Sequence, residues 1–211
     1  MSDGRVLPMF PLGTVLFPYA MLPLHVFEDR YRVMIRRVMD GDREFGVVLI
    51  ERGSEVGGGD VRFDTGTIAR VVQAAELPGG RYAVAAVGLG RVRVTRWLPD
   101  DPYPQAEVVA LADEPANTAD HDARDRIVAT LAVVTELVRR IDPRIDEPPA
   151  LDADPVRAAY EAAALAPIGP LDAQRVLEAA GTAARLELLA VFLGERADEL
   201  RARLDLQEPD E

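Results

Sequence analysis

Few side chains in this sequence can act as a nucleophile or a general base. The only serines are Ser2 and Ser54, the only histidines are His25 and His121, and there is no cysteine. A Ser-His-Asp triad would have to recruit Ser54, which lies in RGSEVGG and lacks the Gly-x-Ser-x-Gly turn of the hydrolases. We interpret Ser54 as a turn residue and keep a hydrolase built on Ser54 and His25 as one hypothesis.

Possible metal ligands are equally sparse. His25 and Glu28 have an H-x-x-E spacing, but His25 precedes the predicted helix, and His121 is isolated in an acidic segment. A cluster of aspartates lacks the glycine and the final glutamate of a calcium loop: Asp120, Asp122 and Asp125. VGGGD and VGLGR lack the third glycine of a dinucleotide-binding loop. The sequence therefore predicts no metal site and no cofactor.

Lysine is absent, because all 24 basic residues are arginine. This excludes a Schiff-base lysine, a Ser-Lys dyad and the lysine of a Walker A loop. The absence of cysteine excludes thiolate nucleophiles and disulfide bonds. From these exclusions we predict that the protein is not an enzyme.

The charge is unevenly distributed along the chain. Residues 1–112 carry 14 acidic residues and 13 arginines, whereas residues 113–211 carry 22 and 11. The second half is a poor electrostatic match for nucleic acid or an anionic membrane. No stretch is apolar for long enough to span a bilayer, and MSDGRVLP does not resemble a signal peptide. We therefore expect a folded, soluble, cytoplasmic protein with no membrane partner.

The first half reads as strands with one helix. Residues 5–27 form short extended segments, interrupted by four prolines: Pro8, Pro11, Pro18 and Pro23. A helix follows from Glu28, with an apolar stripe at helical spacing formed by Tyr31, Met34, Ile35 and Val38. Further strands are predicted over 45–50, 63–77, 82–90, 91–98 and 105–112.

The second half reads as helices. Ile127, Leu131, Val134, Val138 and Ile141 form an apolar seam, and later helices begin near Asp154, after Pro170 and after Thr182. We predict an α+β protein with a strand-rich unit over 1–112, an acidic linker over 113–120, a helical bundle over 121–206 and an acidic tail over 207–211. A helix-poor meander such as the first unit usually closes into a barrel or sandwich.

Two surfaces are candidates for binding. The first lies in FPLGTVLFPYAMLPLHVFEDRY and comprises Phe17, Tyr19, Met21, Phe27, Arg30 and Tyr31. The segment has more large apolar side chains than a proline-broken stretch needs for local packing: Phe10, Phe17, Tyr19, Met21 and Phe27. They form either a partner-binding groove or a cap on an open barrel end.

The second candidate is a basic strip on a strand, in RVRVTRW. Arg91, Arg93 and Arg96, with Trp97 for stacking, would suit single-stranded nucleic acid. The alternative is a solvated strand face, with Arg91 and Arg93 on one side and Val92 and Val94 on the other. The overall acidity counts against nucleic acid as a partner.

The order and spacing of several motifs resemble the Lon protease N-terminal, substrate-binding domain family. Pro11-Leu12, Phe17-Pro18, Pro23-Leu24 and Phe27 match the start of that family. Gly66, Thr67, Ala69, Gly88 and Arg91 match its hairpin and the following strand. APIGPLDAQRVLEAAGTAARLELLAVFL matches its helical segment, so the resemblance covers most of residues 5–205.

The resemblance implies a pseudobarrel like that of the PUA superfamily, followed by a helical bundle. It also implies a non-catalytic, ATP-independent module that binds protein or unfolded peptide, with a role as an adaptor in protein quality control. Without a Walker A loop or a Ser-Lys dyad, the chain resembles a stand-alone form of the domain. The alternative within the same superfamily is an RNA-binding module. The client and the oligomeric state are left open by the resemblance.

Overall fold

The computed structural model of the chain describes residues 4–53 and 61–206. Two compact units are present, Met1–Ala112 and Asp113–Glu211. The first contains β1 (Arg5–Leu12), β2 (Met21–Val26), α1 (Asp29–Asp40), β3 (Glu44–Arg52), β4 (Val61–Leu77), β5 (Arg81–Leu98) and β6 (Gln105–Leu111). The second contains α2 (Thr118–Ile141), α3 (Pro155–Leu165), α4 (Pro170–Glu178) and α5 (Thr182–Asp205). The α+β class predicted from the sequence is confirmed.

One mixed sheet of six strands builds the first unit. Its order is β2-β5-β4-β3-β1-β6, with an additional pairing of β5 with β6. β1 pairs in parallel with β3, and the other pairings are antiparallel. The first half of β5 pairs with β2 and the second half pairs with β6. The long strand β5 therefore connects β2, β4 and β6.

Helix α1 packs on one face of this sheet, as its sequence pattern predicts. Its buried side chains are Tyr31, Met34, Ile35 and Val38. They share a core with alternate residues of the strands, among them Leu22, Val26, Val71, Val84 and Ala86. A second, smaller core includes Leu7, Met9, Val48, Val92 and Val108. Strand side chains alternate between the two faces of a sheet. The strand residues that lie between those packed on α1 therefore point away from this helix.

Two glycines of the sheet are required by close approach of neighbouring backbone. A Cβ on Gly66 would overlap the Val47 carbonyl oxygen, and a Cβ on Gly88 would overlap the Phe17 carbonyl oxygen. The chain before β2 is thus pressed against β5 at Gly88. Thr67 also donates a hydrogen bond from its hydroxyl to the Leu16 carbonyl (2.5 Å). These contacts fix the path that leads into β2.

Helix α2 begins earlier than the sequence predicts. Its N-cap is Asn117, whose side chain accepts hydrogen bonds from the amides of Ala119 and Asp120, while the Asp120 carboxylate accepts from the Asn117 amide. This capping box satisfies amides that would otherwise lack partners at the helix start. The segment 113–120, predicted as a linker, therefore contains the first turn of α2.

The second unit encloses a buried ionic cluster. Arg185 is fully buried; its guanidinium lies 4.1 Å from the Tyr160 ring centroid and donates to Asp113 (3.2 Å). The Tyr160 hydroxyl donates to both oxygens of the same carboxylate, at 2.8 and 2.7 Å. Burying a charge is costly unless it is paired and hydrogen-bonded. The cluster therefore joins α3 and α5 to the first residue of this unit.

Candidate functional site

Strand β2 exposes one face of large apolar side chains. Met21 and Phe27 are 59% and 57% exposed, whereas Leu22 and Val26 are buried against α1. Pro23 and His25, between them, are also exposed. Met21, Pro23 and His25 alternate along one face of β2. Phe27, the first residue after the strand, continues this spacing to a total of about 20 Å.

The same face continues onto the neighbouring strands. Met21, Pro23 and His25 are in register with Val87, Ala85 and Ala83 of β5, and cross-strand partners share a face. On β4, Val72 is 51% exposed at a bulge next to Gln73, which is in register with Ala85. We call this surface the β2 face and define it by these residues: Met21, Pro23, His25, Phe27, Val72, Gln73, Ala83, Ala85 and Val87.

One charged residue borders the β2 face. Arg70 is in register with Val87 and therefore lies on the same side of the sheet, where it donates to Glu44 (2.6 Å). Arg5 donates to the other oxygen of Glu44 (2.6 Å), so this carboxylate is held between two guanidinium groups. Burial by itself raises the pKa of Glu44, but the hydrogen bonds and charges of Arg5 and Arg70 outweigh it and hold the pKa below its ordinary value. The β2 face is therefore mostly apolar, with two polar side chains, His25 and Gln73, and with the paired Arg70 at its border.

The six residues predicted from segment 10–31 divide into an exposed group, Tyr19, Met21 and Phe27, and a group that belongs to the core or covers it. Phe17 and Tyr31 are buried, and Tyr31 stacks on Phe10 with 4.2 Å between ring centroids. Arg30 is half-buried, pairs with Glu28 (3.1 Å) and covers the Tyr31 ring at 4.5 Å. Because Phe17 and Tyr31 are core residues and Arg30 covers that core, we remove all three from the candidate site.

Tyr19, the remaining member of that set, occupies the turn before β2. It is 44% exposed and has a φ of 67°, which non-glycine residues seldom adopt. Its amide donates to the Gly88 carbonyl (2.8 Å), and the Gly88 amide donates to the Ala20 carbonyl (2.9 Å). Tyr19 and Ala20 thus both pair with Gly88. This irregular pairing comes directly before the regular ladder of β2 with β5 and so fixes which β2 side chains point away from the core.

The basic strip predicted on β5 is not assembled as one exposed surface. Arg91 is only 5% exposed and is in register with Thr67 of β4 and Leu111 of β6, so strands flank it on both sides. The alternation predicted from RVRV is present, because no bulge separates Arg91 from Arg93 and both lie on the face opposite Val92 and Val94. Arg93 is exposed on that face, whereas Arg91 is buried.

The other two members of that strip are engaged by neighbours. Arg96 makes two hydrogen bonds to Glu107, which raise the pKa of Arg96 and lower the pKa of Glu107. The Trp97 indole N–H donates to Asp64 (3.3 Å), and the Arg62 guanidinium covers the Trp97 ring at 4.6 Å. Stacking on Trp97 would have to displace Arg62.

The residues considered for catalysis and metal binding do not converge where the structure describes them. Ser54 lies outside the described residues. His25 is exposed on β2, and Glu28 is the N-cap of α1 and pairs with Arg30. Within residues 4–53 and 61–206, no three His, Asp or Glu side chains are grouped so as to hold a metal ion.

A groove of about 200 Å³ lies in the second unit, between α2 and residues 147–151. Arg124 holds the far end of this segment by donating to the carbonyls of Leu151 (3.2 Å) and Asp152 (3.1 Å). Pockets for small molecules usually measure about 300–1,000 Å³, so this groove is small for one. None of the candidate residues lines it.

Helices of bilayer-spanning length and apolarity are absent from the part of the chain that the structure describes.

Sequence reasoning misses the contribution of β4 and β5 to the β2 face. The signal is present in YAVAAV, residues 82–87, where both alternating sets are apolar. Tyr82, Val84 and Ala86 pack towards α1, which leaves Ala83, Ala85 and Val87 on the opposite face. A strand that is apolar on both sides indicates that its second face is also covered or binds a partner.

Comparison with known proteins agrees with these features. The chain is 28% identical to a Lon protease of Koribacter versatilis over 98% of its own length and 26% of the relative. It is 29% identical to Lon protease 2 of Herpetosiphon aurantiacus over 95% of its own length and 25% of that relative. The chain therefore spans about a quarter of the length of these relatives.

Solved structures give the same answer for the fold. A Lon N-terminal domain protein from Xanthomonas campestris is 26% identical, with a TM-score of 0.65 over 89% of this chain and 98% of that one. The N-terminal domain of a Mycobacterium avium complex Lon protease, 18% identical, also has a TM-score of 0.65 over 90% of this chain and 98% of that one. The family model of the ATP-dependent protease La (LON) substrate-binding domain matches residues 6–195. The chain belongs to the LON substrate-binding domain family.

Proposed function

We propose that the chain is a non-catalytic module that binds unfolded protein, and that its β2 face contacts apolar segments of an extended polypeptide. The observation that carries this proposal is the exposure of Met21 and Phe27 beside a mostly apolar sheet face, where the bordering charge of Arg70 is paired with Glu44. Exposed apolar patches on folded proteins commonly mark partner sites. Membership of a substrate-binding domain family supports the same class of ligand.

The dimensions of the β2 face suit an extended client. From Met21 to Phe27 the face is about 20 Å long, which corresponds to about seven residues of extended chain. The small side chains of Ala83 and Ala85 are in register with His25 and Pro23, between the larger Met21 and Phe27. Apolar side chains of a client would pack on these small residues.

Two finer statements belong to the proposal. The strand pairings run β5-β4-β3-β1-β6 and return to β5, which supports a closed pseudobarrel of the PUA-like type. We also propose that the chain acts in proteolysis or protein quality control as an adaptor. The substrate-binding character of its family and the lack of lysine and cysteine side chains support a binding role without catalysis.

The test uses two fluorescein-labelled twelve-residue peptides. In the first, Leu or Phe alternates with Ser or Gln; in the second, the apolar positions are Asp. We expect the intact chain to bind the first peptide in a fluorescence anisotropy titration and not the second. Met21→Ser with Phe27→Ser should weaken binding by about 30-fold, since each half-exposed side chain contributes roughly 1 kcal/mol on burial.

Val191→Ser is the matched control, because Val191 is 53% exposed in the second unit and lies outside the β2 face. It should bind the apolar peptide as the wild-type chain does. Equal weakening by Val191→Ser, or an unchanged affinity in the double variant, would contradict the proposal. A labelled single-stranded RNA of mixed sequence, titrated at low salt, distinguishes the nucleic-acid alternative and should not bind.

A further inference from the structure

Strand β2 has an unpaired edge as far as the structure describes the chain. β5 pairs with it from Met21, opposite Val87, to Val26, opposite Tyr82, and no other described strand does so. An unpaired edge presents N–H and C=O groups that can template a further strand. An extended polypeptide that met this edge could therefore join the sheet by main-chain hydrogen bonds.

The register of β2 shows which main-chain groups face that edge. The Gly88 amide donates to the Ala20 carbonyl, so the main-chain oxygen of Ala20 points towards β5. In an antiparallel pair, successive residues direct their main-chain groups alternately towards and away from the partner strand. The register from Met21 to Val26 contains no bulge. Met21, Pro23 and His25 therefore direct their main-chain groups towards the open edge.

Pro23 occupies the centre of this edge. Proline has no N–H, so an added strand would find donors only at Met21 and His25, about 13 Å apart. Proline directed towards the open side of an edge strand is a known means of preventing edge-to-edge association. Protection of this edge matters here, because the exposed apolar side chains of Met21 and Phe27 would favour association of β2 with the same strand of a second copy.

We propose that Pro23 determines how β2 recognises polypeptide: it blocks strand addition, so that a client engages side chains of the β2 face and a second copy of the chain cannot extend the sheet. The part concerning clients rests on the proposed function. The part concerning a second copy does not depend on it.

The first arm of the test measures self-association by sedimentation velocity over a range of protein concentrations. Pro23→Val restores an N–H directed towards the open edge and should associate about tenfold or more tightly than the wild-type chain. Pro78→Val, in the turn between β4 and β5, makes the same replacement away from the edge and should sediment as wild type. Pro23→Thr, with a polar β-branched side chain, should also associate; this shows that the restored N–H, and not added apolar surface, is responsible.

The second arm uses the wild-type chain, so it does not depend on the folding of any variant. The apolar peptide is compared with the same peptide N-methylated at alternate residues, which cannot form a strand ladder. Affinities within about threefold of each other support the proposal, and a loss of tenfold or more on N-methylation overturns it. If neither peptide binds, the proposed function fails, and the first arm alone decides whether Pro23 blocks the edge. If the Pro23→Val and Pro23→Thr proteins fold and sediment as the wild-type chain does, Pro23 does not block strand addition and the proposal is wrong.

Discussion

Glu44 shows how single residues hold the sheet together beside the β2 face. It lies on β3 and accepts hydrogen bonds from Arg5 of β1 and Arg70 of β4, so one carboxylate connects three strands. Its side chain is largely buried, whereas both arginines remain partly exposed. The pairing therefore stabilises the ionised form of Glu44 more than burial destabilises it.

This arrangement predicts a pH-dependent contribution to stability. A folded-state pKa below the unfolded value stabilises the fold above the unfolded pKa, near 4.3, and this stability disappears as the pH falls through the lowered pKa. Glu44→Gln should therefore lower the free energy of unfolding by roughly 1 kcal/mol at pH 7, and the difference should vanish below the lowered pKa. Urea unfolding of both proteins across this range tests it; a difference that persisted in full at the acidic end would contradict the assignment.

At the residue scale, sequence reasoning identifies the informative segment but not which of its side chains are exposed. Tyr19, Met21 and Phe27 are exposed, whereas Phe17 and Tyr31 enter the core. Tyr31 is buried with the rest of the apolar stripe of α1. In β2 the reason is local, because the irregular pairing of Tyr19 and Ala20 with Gly88 precedes the alternation of the strand. A shift by one residue would exchange the two faces, and composition alone does not specify that shift.

At the scale of elements, the turn into β2 depends on Gly88. The Phe17 carbonyl lies so close to β5 at Gly88 that a side chain at this position would overlap it. Gly90, two residues later on the same strand, would place a Cβ in open space, with no heavy atom within 4 Å, and its φ lies outside the glycine-favouring region. The two glycines therefore differ in the space available for a Cβ atom, whereas neither has a φ in the region that favours glycine.

Gly88→Ala and Gly90→Ala form a matched pair. Gly88→Ala should lower the free energy of unfolding by about 2 kcal/mol or more, because its Cβ would meet main-chain atoms that cannot move cheaply. Gly90→Ala should change it by less than about 0.5 kcal/mol. Thermal and urea denaturation measure both. Similar values for the two variants would mean that the approach of Phe17 to β5 is not the constraint described.

The helices and strands are mostly predictable from periodicity, and their ends are less so. The α1 stripe follows directly from Tyr31, Met34, Ile35 and Val38. The start of α2 escapes prediction because its first turn is as acidic as the preceding segment, although the three-residue spacing of Asn117 and Asp120 is that of a capping box. The course of β5 as one strand depends on pairing partners distant in sequence, which local pattern does not reveal.

At the scale of the whole molecule, charge and apolar surface are separated along the chain. Residues 1–112 are almost neutral and contain the β2 face, whereas residues 113–211 carry most of the net charge of −12. If apolar contact dominates client binding, ionic strength should matter little, because Coulombic attraction contributes little to the complex.

We therefore expect the affinity for the uncharged apolar peptide to change by less than about threefold between roughly 0.05 and 0.5 M NaCl. A protein that neutralises several phosphates loses orders of magnitude over a similar range. Anisotropy titrations at three salt concentrations make the comparison. A steep loss of affinity with added salt would show that the arginines, and not the β2 face, carry the binding.

The pairing of β1 with β6 has a consequence for the time at which the first unit can fold. Arg5 is in register with Val108, so this ladder joins residues from opposite ends of the unit. During synthesis at about 5–20 residues per second, the N-terminal strand waits roughly 5–20 s for its partner. Throughout that interval the nascent chain holds Met21 and Phe27 beside an incomplete sheet, and a module that we propose to bind unfolded chains is itself such a chain while it is being made.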